Sequence, residues 1–395
     1  MDFVSVVDAQ RLLSENINYT EIEQVLLMES LGRYAALPIL APMDIPQFDN
    51  SAMDGYCFMF SDFIQGIPLR LIDTIQAGTT LLPQLKSGEA AHIFTGAPIP
   101  PGADTVVMQE KISVDDNILV FKSNDISRGL NIRLSASQTK KGTEILASHQ
   151  YINAGIIGFL AGFGITHISV FSKPRIGICC TGKELVIAGS DLKPGQIYES
   201  NSISLHALLS EIKIDPIEII RVEDDLEKTV LAISNLLSKV DIIILTGGIS
   251  VGAYDFVLEA LQKNQVEKIF YKVKQKPGKP LYFGRKGNQF VFALPGNPAA
   301  TFTCFHQFVK PFIKSMMGKK NMYDLTQKGV LDHSYTKKMG LQHFVKAIIR
   351  ENKITILENQ ESYKMNAFVD ANCLVSLDAN TENFEKNDML SYINI

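Results

Sequence analysis

The sequence predicts a multidomain protein of the α/β plus β class, and three observations lead to that prediction. The chain has 395 residues, several times the roughly 100–200 residues of one ordinary domain. Its middle part alternates strand-like and helix-like segments, which is typical of a parallel sheet covered on both faces. The flanking segments are rich in short strands and turns. We therefore expect a central three-layer α/β/α domain accompanied by β-type domains.

The central α/β domain is predicted for residues 174–319. Apolar residues recur with helical spacing in Ser202–Ile212, and Asp224 to Glu227 open the next helix in the manner of a capping box. Five segments have the composition of strands: Arg175–Cys180, Pro216–Val222, Asp241–Leu245, Lys268–Val273 and Gln289–Ala293.

The flanking segments predict three further domains. Residues 41–143 are rich in strands, turns and prolines, and prolines weaken long helices, so an inserted β-rich domain is expected. Helical patterns in Thr20–Leu37 and Asn153–Phe163 indicate that this domain interrupts a linking domain, formed by residues 1–40 with their N-terminal helices and by residues 144–173. The last part, residues 320–395, is predicted to be a C-terminal β domain with strands Gln342–Arg350, Ile354–Leu357 and Cys373–Leu377.

Composition and charge exclude several classes of protein. With 46% hydrophobic residues, 20% charged residues and a net charge of −4, the chain has neither the profile of a disordered protein nor that of one that coats nucleic acid. The longest apolar stretch, Ala154 to Ile165, is shorter than the ~18 residues that span a bilayer. The start, Met1 to Ser5, lacks the features of a secretory signal. We expect a cytoplasmic protein without a membrane or nucleic-acid partner.

Cysteines and histidines do not form a metal-binding or disulfide pattern. The five cysteines and seven histidines are scattered, without Cys-x-x-Cys or His-x-x-x-His spacing. Buried, reduced thiols are therefore expected.

Three glycine-containing turns follow predicted strands of the central domain. They are Cys180 to Glu184, Thr246 to Gly252 and Leu294 to Pro298. In a parallel sheet all three lie at the carboxyl edge, where α/β folds bind ligands. Glycine lets backbone N–H groups approach an anion, and a helix beginning near Ala253 would direct its amino end to a phosphate. One such turn alone is ordinary turn chemistry, but three at one edge favour an anion site.

A basic run and several carboxylates supply further candidates. Four lysines occur within Lys272–Lys279, directly after the fourth strand. They are either phosphate ligands or a solvated charged surface. Carboxylates near an anion site suit Mg²⁺, which needs one or two of them. Asp224 and Asp255 have the alternative roles of helix cap and first-turn dipole partner, whereas Asp54 lies in a segment typical of a functional loop.

Seven motifs together resemble the molybdopterin molybdenumtransferase family, called MoeA in bacteria and represented in animals by the gephyrin E domain. The resemblance extends from near residue 5 to the last domain. The motifs, in chain order, are Pro46–Tyr56, Thr95–Pro100, Gly129–Arg133, Gly195–Ser202, the turn that begins at Thr246, Lys276–Pro280 and Leu294–Pro298.

This resemblance implies an elongated, four-domain, homodimeric subunit with a C-terminal β-barrel-like domain. The implied reaction inserts molybdate into adenylylated molybdopterin and releases AMP with Mg²⁺. The site would lie between the central domain of one subunit and the inserted β domain of the other. Molybdopterin adenylyltransferase and apo-molybdoenzymes are the implied protein partners.

Matched by position, the family's functional residues fall on residues of both domains. Catalytic roles are implied for Asp54, Thr95, Asp255, Lys272 and Lys276, with Asp54 and Asp255 also as metal ligands. Substrate binding is predicted for Glu184, Asp224, Gly247, Gly248, Ser250, Lys279, Pro295, Asn297 and Arg133.

The chain departs from the family pattern at two places. Where the family has a Gly-Glu-Asp triplet, this chain has Ala136-Ser137-Gln138, and an expected arginine of the last domain is Lys346. The serine-containing turn of that domain appears as Met365-Asn366-Ala367. Two alternatives to the transferase therefore stay open: a molybdopterin-binding or scaffold homologue without turnover, and an enzyme that adenylylates molybdopterin. The additional β domains count against the second.

Overall fold

The structure, a computed structural model, describes residues 2–249, 256–323 and 326–395. The chain divides into two compact units. The larger unit comprises residues 1–36, 149–152 and 168–395, and the smaller unit comprises residues 37–148 and 153–167. The finer division of the chain into linking, inserted, central and terminal domains stays a prediction.

The larger unit contains a seven-stranded sheet. Its strands, from edge to edge, are Asp2–Val4, Glu267–Val273, Tyr282–Lys286, Gln289–Leu294, Ile242–Thr246, Ile176–Thr181 and Glu218–Val222. All pair in parallel except Tyr282–Lys286, which is antiparallel to both neighbours. The five predicted strands are present, and the sheet is mixed rather than purely parallel.

Apolar residues cover both faces of this sheet. Every residue of Ile242–Thr246 is buried, as expected for a strand whose two faces are both packed. Ile242 and Ile244 belong to one core with Leu205 and Leu209, whereas Ile243 and Leu245 belong to another. Alternation along the strand therefore supplies two cores, which confirms the three-layer α/β/α arrangement.

The helices of the larger unit are Val6–Glu15, Asn201–Glu211, Leu226–Leu237, Val257–Lys263, Pro298–Cys304, Lys310–Met316 and Ala367–Asp370. Asp225 caps the helix Leu226–Leu237 by accepting the backbone N–H of Lys228. Between Pro298–Cys304 and Lys310–Met316 the chain forms a π-helical turn, Phe305–Val309. Such turns insert one residue into a helix and occur frequently at functional sites.

The predicted helix over Thr20–Leu37 is wrong. Ile22–Leu26 is a strand paired with His167–Phe171, and a short 3₁₀ turn, Leu27–Ser30, follows it. Pairing with a strand distant in the chain overrides the local helical pattern, which is a weak constraint by itself.

Strands Gln342–Arg350, Lys353–Ile356, Gln327–Leu331, Met389–Asn394 and Cys373–Leu377 close into a five-stranded barrel. Each strand pairs with the next, and the last pairs again with the first. Gln275–Lys276 adds to the barrel from outside by pairing with Gln342 and His343. The predicted C-terminal β-barrel-like fold is confirmed. Three further strand pairs of the larger unit involve Ile22–Leu26 with His167–Phe171, Leu185–Val186 with Ile197–Tyr198, and Tyr335–Thr336 with Asn383–Phe384.

The smaller unit is built around a six-stranded sheet. Its strands, in spatial order, are Thr105–Met108, Gly55–Phe58, Glu89–Ile93, Arg70–Ile75, Ile118–Phe121 and Ile112–Asp115. Asn50–Ser51 pairs with Ile132–Arg133, and Ile39–Leu40 pairs with Glu144–Leu146. The helices are Phe60–Ile64 and Ala154–Ala161, with a 3₁₀ turn at Gln109–Lys111.

Two further expectations from the sequence can be compared with the structure. None of the described helices combines the length and the apolar character needed to cross a membrane. All five cysteines are buried and unbridged. Burial raises the pKa of the Cys57, Cys179, Cys180 and Cys304 thiols to about 12 and that of Cys373 to about 11. The thiols are therefore unreactive at neutral pH, because the thiolate is the nucleophile.

Candidate functional site

The three predicted turns meet at the carboxyl edge of the large sheet. They surround a cavity of about 630 Å³, which we call the large cavity. Its wall contains Thr181, Gly182, Glu184, Leu185, Ile197 to Asn201, Asp224, Thr246 to Ile249, Pro280, Pro295 to Pro298 and Tyr363. The carboxyl edge is the usual ligand-binding edge of an α/β sheet. Six predicted substrate-binding residues thus lie around one cavity: Glu184, Asp224, Gly247, Gly248, Pro295 and Asn297.

Gly247 and Gly248 are required by the close approach of this turn to Thr181. Both have positive φ, +86° and +59°, a region that favours glycine. A Cβ on Gly247 would lie 2.4 Å from the Thr181 carbonyl oxygen, and a Cβ on Gly248 would lie 2.7 Å from Thr181 Oγ1. Any larger residue would therefore push the two turns apart and change the cavity.

Two neutral oxygen atoms in the cavity wall have no hydrogen-bond donor. They are Thr181 Oγ1 and Asn201 Oδ1, both fully buried. The amide nitrogen of Asn201 donates to Thr246 Oγ1 at 3.1 Å and to the Gly296 carbonyl at 2.8 Å, which fixes the side chain between two of the turns. Buried acceptors without partners are rare in folded proteins. Both atoms are therefore candidates to accept hydrogen bonds from a ligand.

A buried carboxylate, Glu199, contributes to the cavity wall although it was not among the predicted site residues. It accepts hydrogen bonds from the backbone N–H of Ser202 at 2.8 Å and from the Ser202 hydroxyl, and Arg221 Nε lies 3.4 Å away. Burial alone would raise the pKa of Glu199, but these bonds and the Arg221 charge outweigh it and hold the pKa below its ordinary value. Glu199 is therefore ionised. The sequence feature that could have identified Glu199 is its place in the motif Gly195–Ser202, just before a helix.

Glu184 and Asp224 are the other two carboxylates of the cavity wall. Asp225 is the residue that caps the following helix, so Asp224 does not have the capping role that the sequence left open. One oxygen of Asp224 accepts the Lys183 backbone N–H at 3.2 Å. Among the described residues no group of three or more histidine, cysteine or acidic side chains could hold a metal ion. Two carboxylates still fit Mg²⁺, which takes its other ligands from phosphate and water.

The C-terminal barrel contributes one loop to the cavity. Tyr363 lines it, and Ser362 Oγ accepts a hydrogen bond from Asn297 Nδ2 at 2.9 Å. Lys346, at the position of the expected arginine, is buried, and its ammonium group donates to the carbonyl oxygens of Asn359, Lys364 and Glu361 at 2.7, 3.3 and 3.4 Å. Burial lowers the pKa of Lys346 to about 8. Lys346 therefore organises the loop from inside.

None of the predicted lysines is among the described residues that line the large cavity. Lys272, with φ +64°, places its Nζ 4.9 Å from the centre of the Tyr271 ring, and Lys279 Nζ lies 5.0 Å from that of Phe3. Lys276 instead lines two openings beside the barrel, of about 730 and 450 Å³. The antiparallel strand Tyr282–Lys286 separates the lysine-bearing strand from the strands that carry the turns.

Asp54 and Thr95 lie together in the smaller unit. Asp54 Oδ1 accepts the backbone N–H of Thr95 at 2.7 Å and its hydroxyl at 2.8 Å. These two bonds, helped by the charge of His92, hold the pKa of the exposed Asp54 carboxyl below its ordinary value. The next residue in the chain is Gly55. A larger residue does not fit there, because a Cβ would lie 2.0 Å from the Val107 carbonyl oxygen. The sequence thus predicted a pair whose members are directly hydrogen-bonded.

The loop that departs from the family pattern lies in the same unit. Arg133 is exposed and pairs with Asn50 along the short strand. Ala136, at the position of the family's glycine, has φ +61°, and its N–H donates to the Pro46 carbonyl at 2.9 Å. The backbone therefore keeps a left-handed conformation without glycine, while the exposed Ser137 and Gln138 replace the two acids. The predicted site residues Ser250 and Asp255 lie outside the described residues.

Comparisons with known proteins cover nearly the whole chain. Residues 4–164 match the MoeA N-terminal region (domain I and II), residues 177–315 match a probable molybdopterin binding domain, and residues 328–395 match the MoeA C-terminal region (domain IV).

Full-length relatives and solved structures give the same result. Molybdopterin molybdenumtransferase from Haemophilus influenzae is 32% identical over 91% of this chain and 90% of its own length. The Bacillus subtilis enzyme of the same name is 30% identical over 97% and 92%. A crystal structure of the molybdopterin biosynthesis MoeA protein from Pyrococcus horikoshii is 26% identical and covers 99% of both chains with a TM-score of 0.85.

Proposed function

This chain belongs to the MoeA family of molybdopterin molybdenumtransferases, and from that premise we propose that it inserts molybdate into adenylylated molybdopterin with Mg²⁺-dependent release of AMP. The work is divided between the large cavity and the Asp54–Thr95 pair of a second subunit. Molybdopterin adenylyltransferase would supply the adenylylated substrate, and apo-molybdoenzymes would receive the product.

The observation that carries this proposal is the combination of carboxylates and phosphate-binding backbone in one cavity. Glu184, Glu199 and Asp224 line the large cavity, and no lysine or arginine is among its described lining residues. A phosphorylated ligand would be repelled by three carboxylates unless a cation accompanied it. A Mg²⁺ ion bound by one or two carboxylates removes that repulsion. The cavity is thus suited to a ligand that arrives as a magnesium–phosphate complex.

Each group of the cavity has a defined role in this proposal. Asp224 and Glu184 would hold Mg²⁺, which neutralises charge on a phosphoanhydride as it is cleaved. The turn at Gly247 and Gly248 allows the backbone to approach the phosphate closely. The amino end of the helix that begins at Pro298 opens on the cavity and favours negative charge.

The neutral acceptors recognise the uncharged part of the substrate. Thr181 Oγ1 and Asn201 Oδ1 lack donors, whereas pterin and adenine rings both carry amino groups that donate. Leaving either buried acceptor unpaired is costly, so a ring without the amino group would bind less tightly. Arg221 and Ser202 hold Glu199 ionised, and Glu199 fixes the start of the helix that carries Asn201. Glu199 is therefore a positioning residue.

The decisive experiment measures AMP release. The protein is incubated anaerobically with adenylylated molybdopterin, molybdate and Mg²⁺, and AMP is quantified. We expect AMP to appear only when molybdate and Mg²⁺ are both present. Ligand binding without AMP under these conditions would refute the transferase and support the scaffold homologue.

The homodimeric site is tested by mixing two variants. Asp54→Asn and Asp224→Asn are each expected to be inactive as homodimers. If each site combines Asp224 of one subunit with Asp54 of the partner subunit, randomly mixed dimers regain about a quarter of the wild-type rate, since half are mixed and each holds one intact site. No recovery after verified subunit exchange would show that both residues act within one subunit or that no shared site exists.

The scaffold alternative is favoured by one observation, the loss of two acids at Ser137 and Gln138. Because the backbone at Ala136 keeps its left-handed conformation, the double variant Ser137→Glu, Gln138→Asp should fold normally. If the chain is a non-catalytic homologue, this variant gains AMP release that the wild type lacks. If the chain is a transferase, both proteins turn over.

A further inference from the structure

A second, smaller cavity of about 150 Å³ lies beside the π-helical turn Phe305–Val309. We call it the lysine pocket, after its lining by Lys310, Lys314 and Lys319 together with His306, Met322 and Tyr323. It shares no lining residue with the large cavity. Its residues have no role in the proposed transferase reaction.

Three ammonium groups converge on the lysine pocket because of the helix geometry. Lys310 and Lys314 are four residues apart on Lys310–Met316, which places them on one face, and Lys319 follows the end of that helix with 7% of its surface exposed. No aspartate or glutamate of the described ranges lines the cavity. Glu211 lies 3.7 Å from Lys310 Nζ and outside the cavity wall, and Lys319 Nζ donates to the Met322 carbonyl oxygen at 3.4 Å.

The lysine charges influence one another. Burial lowers the pKa of Lys310 and Lys314, and the charges of Lys310 and Lys319 lower that of Lys314 further, against the opposing effect of Glu211. A bound anion would offset both the cost of burying the charged lysines and the repulsion between them, since it supplies an opposite charge.

Two buried polar groups of the lysine pocket have no partner. His306 is 2% exposed, and its Nε2 makes no hydrogen bond; the same is true of the buried Tyr323 hydroxyl. Burial lowers the pKa of His306 to about 3 and raises that of Tyr323. At neutral pH the imidazole is uncharged and the phenol keeps its proton. Each can donate a hydrogen bond, and an anion with at least two oxygens would satisfy both.

The rest of the wall presents mostly apolar surface, although the polar residues Gln10, Gln307, Thr326, Gln327 and Asn394 also line it. Met322, Pro311 and Ile393 line it, and the His306 ring is held by Phe302, with ring centres 4.8 Å apart. A cavity of about 150 Å³ is the size that accommodates benzene in a protein interior. The space therefore exceeds that of a simple inorganic ion.

We propose that the lysine pocket binds a small organic anion, consisting of an apolar body about the size of a benzene ring and one carboxylate or phosphate group. The oxyanion meets Lys310, Lys314 and the donors of His306 and Tyr323. The apolar body lies against Met322 and Pro311. This proposal is independent of the transferase reaction.

Isothermal titration calorimetry on the full-length protein tests the proposal, with phenyl phosphate and benzoate as probes. At least one of them should bind with a dissociation constant below about 1 mM, and the tighter of the two identifies the anionic group. Lys314→Met keeps the aliphatic stem and removes the charge, so it should weaken binding about tenfold or more, as expected for loss of a charge-assisted hydrogen bond. Lys239→Met removes a half-exposed lysine paired with Glu218 elsewhere and should change nothing.

Several outcomes would overturn the proposal. The first is absence of binding for both probes in a protein whose thermal unfolding is normal. The second is binding that Lys314→Met and Lys310→Met leave unchanged, which would place the probe in another site such as the large cavity. Equal affinity for benzyl alcohol would show that charge is not used, and equal affinity for inorganic phosphate would show that the apolar wall is not used.

Discussion

The large cavity and the lysine pocket differ in the charges of their walls. Three carboxylates and no described lysine or arginine line the large cavity. Three lysines and no described carboxylate line the lysine pocket. We assign an anion to both, so the two regions use different means to the same end. In the two proposals the large cavity would use a metal ion, backbone and neutral acceptors, whereas the lysine pocket would use ammonium groups.

If both proposals hold, a phosphate site need not be rich in lysine. A lysine neutralises an anion permanently, but it also competes with a metal ion for the same position. In the large cavity the acidic wall would recruit Mg²⁺, which is delivered and removed with the substrate. In the proposed reaction the carboxylates of the large cavity would hold Mg²⁺ beside the anion.

The largest effect is expected from Asp224→Asn. If the large cavity depends on a metal held by carboxylates, this change should slow AMP release by about 100-fold or more, the scale of loss for one electrostatic group. Raising Mg²⁺ should partly restore the rate. The matched control is Asp225→Asn, because asparagine caps a helix as well as aspartate does. Equal losses in both variants would mean that helix integrity, not metal binding, is what Asp224 provides.

The role of backbone in the large cavity can be measured with Gly247→Ala. The added Cβ lies 2.4 Å from the Thr181 carbonyl oxygen, so overpacking adds to left-handed strain and the free energy of unfolding should fall by about 3 kcal/mol. Gly195, with φ +84° and no atom within 4 Å of its added Cβ, isolates the strain, and Gly195→Ala should cost about 1 kcal/mol. Similar losses in urea denaturation would show that the contact with Thr181 is unimportant.

The ammonium groups of the lysine pocket predict a pH dependence. Since burial and neighbouring charges lower the pKa of Lys314, its charge is lost at lower pH than that of an ordinary lysine, whose pKa is about 10.4. Affinity for phenyl phosphate, already a dianion, should fall about tenfold between about pH 8 and pH 10. Binding of AMP with Mg²⁺ in the large cavity, whose described lining contains no lysine, should change less. A flat titration curve for phenyl phosphate would contradict charge pairing in the lysine pocket.

The smallest effect is expected from relieving backbone strain at Ala136, which lines neither the large cavity nor the lysine pocket. Ala136 occupies a left-handed conformation with φ +61°, as Gly247 does with glycine. Ala136→Gly should therefore stabilise the protein by about 0.5–1 kcal/mol, the relief of strain less the added entropy of the unfolded chain. Thermal unfolding measures this change. A loss of stability would mean that the alanine methyl group makes a compensating contact.

The sequence predicted the position of the large cavity better than it predicted the chemical groups of the cavity wall. The turns at Gly182, Gly247 and Pro295 follow parallel strands, and the direction of parallel strands forces their ends to one edge. Asp54 was predicted from its loop-like segment, but its proximity to Thr95 could not be, since 41 positions separate the two residues. Glu199 was missed because a carboxylate before a helix has the appearance of an ordinary cap.

The lysines lie outside the described lining of the large cavity for a specific reason. The strand Tyr282–Lys286 was not predicted, although Gly287-Asn288 between Lys286 and its partner Gln289 is a sequence typical of a two-residue hairpin. With that strand inserted, the strand that carries Lys272 lies two strands away from the one that leads to the turn at Pro295, and Lys276 pairs with the C-terminal barrel. The lysine pocket was not predicted either, because His306 and Lys314 come together through a π-helical turn that no periodicity rule anticipates.

The burial of every cysteine makes the chain a convenient background for site-directed labelling. Native thiols with pKa near 12 would be spared by maleimide at neutral pH, while a thiol introduced at the exposed Lys386 would have an ordinary pKa of about 8.5 and react. A single nitroxide attached there would report, by pulsed electron resonance, the separation of two copies in the proposed homodimer. The assembly could thus be measured in solution without first removing any native side chain from the core.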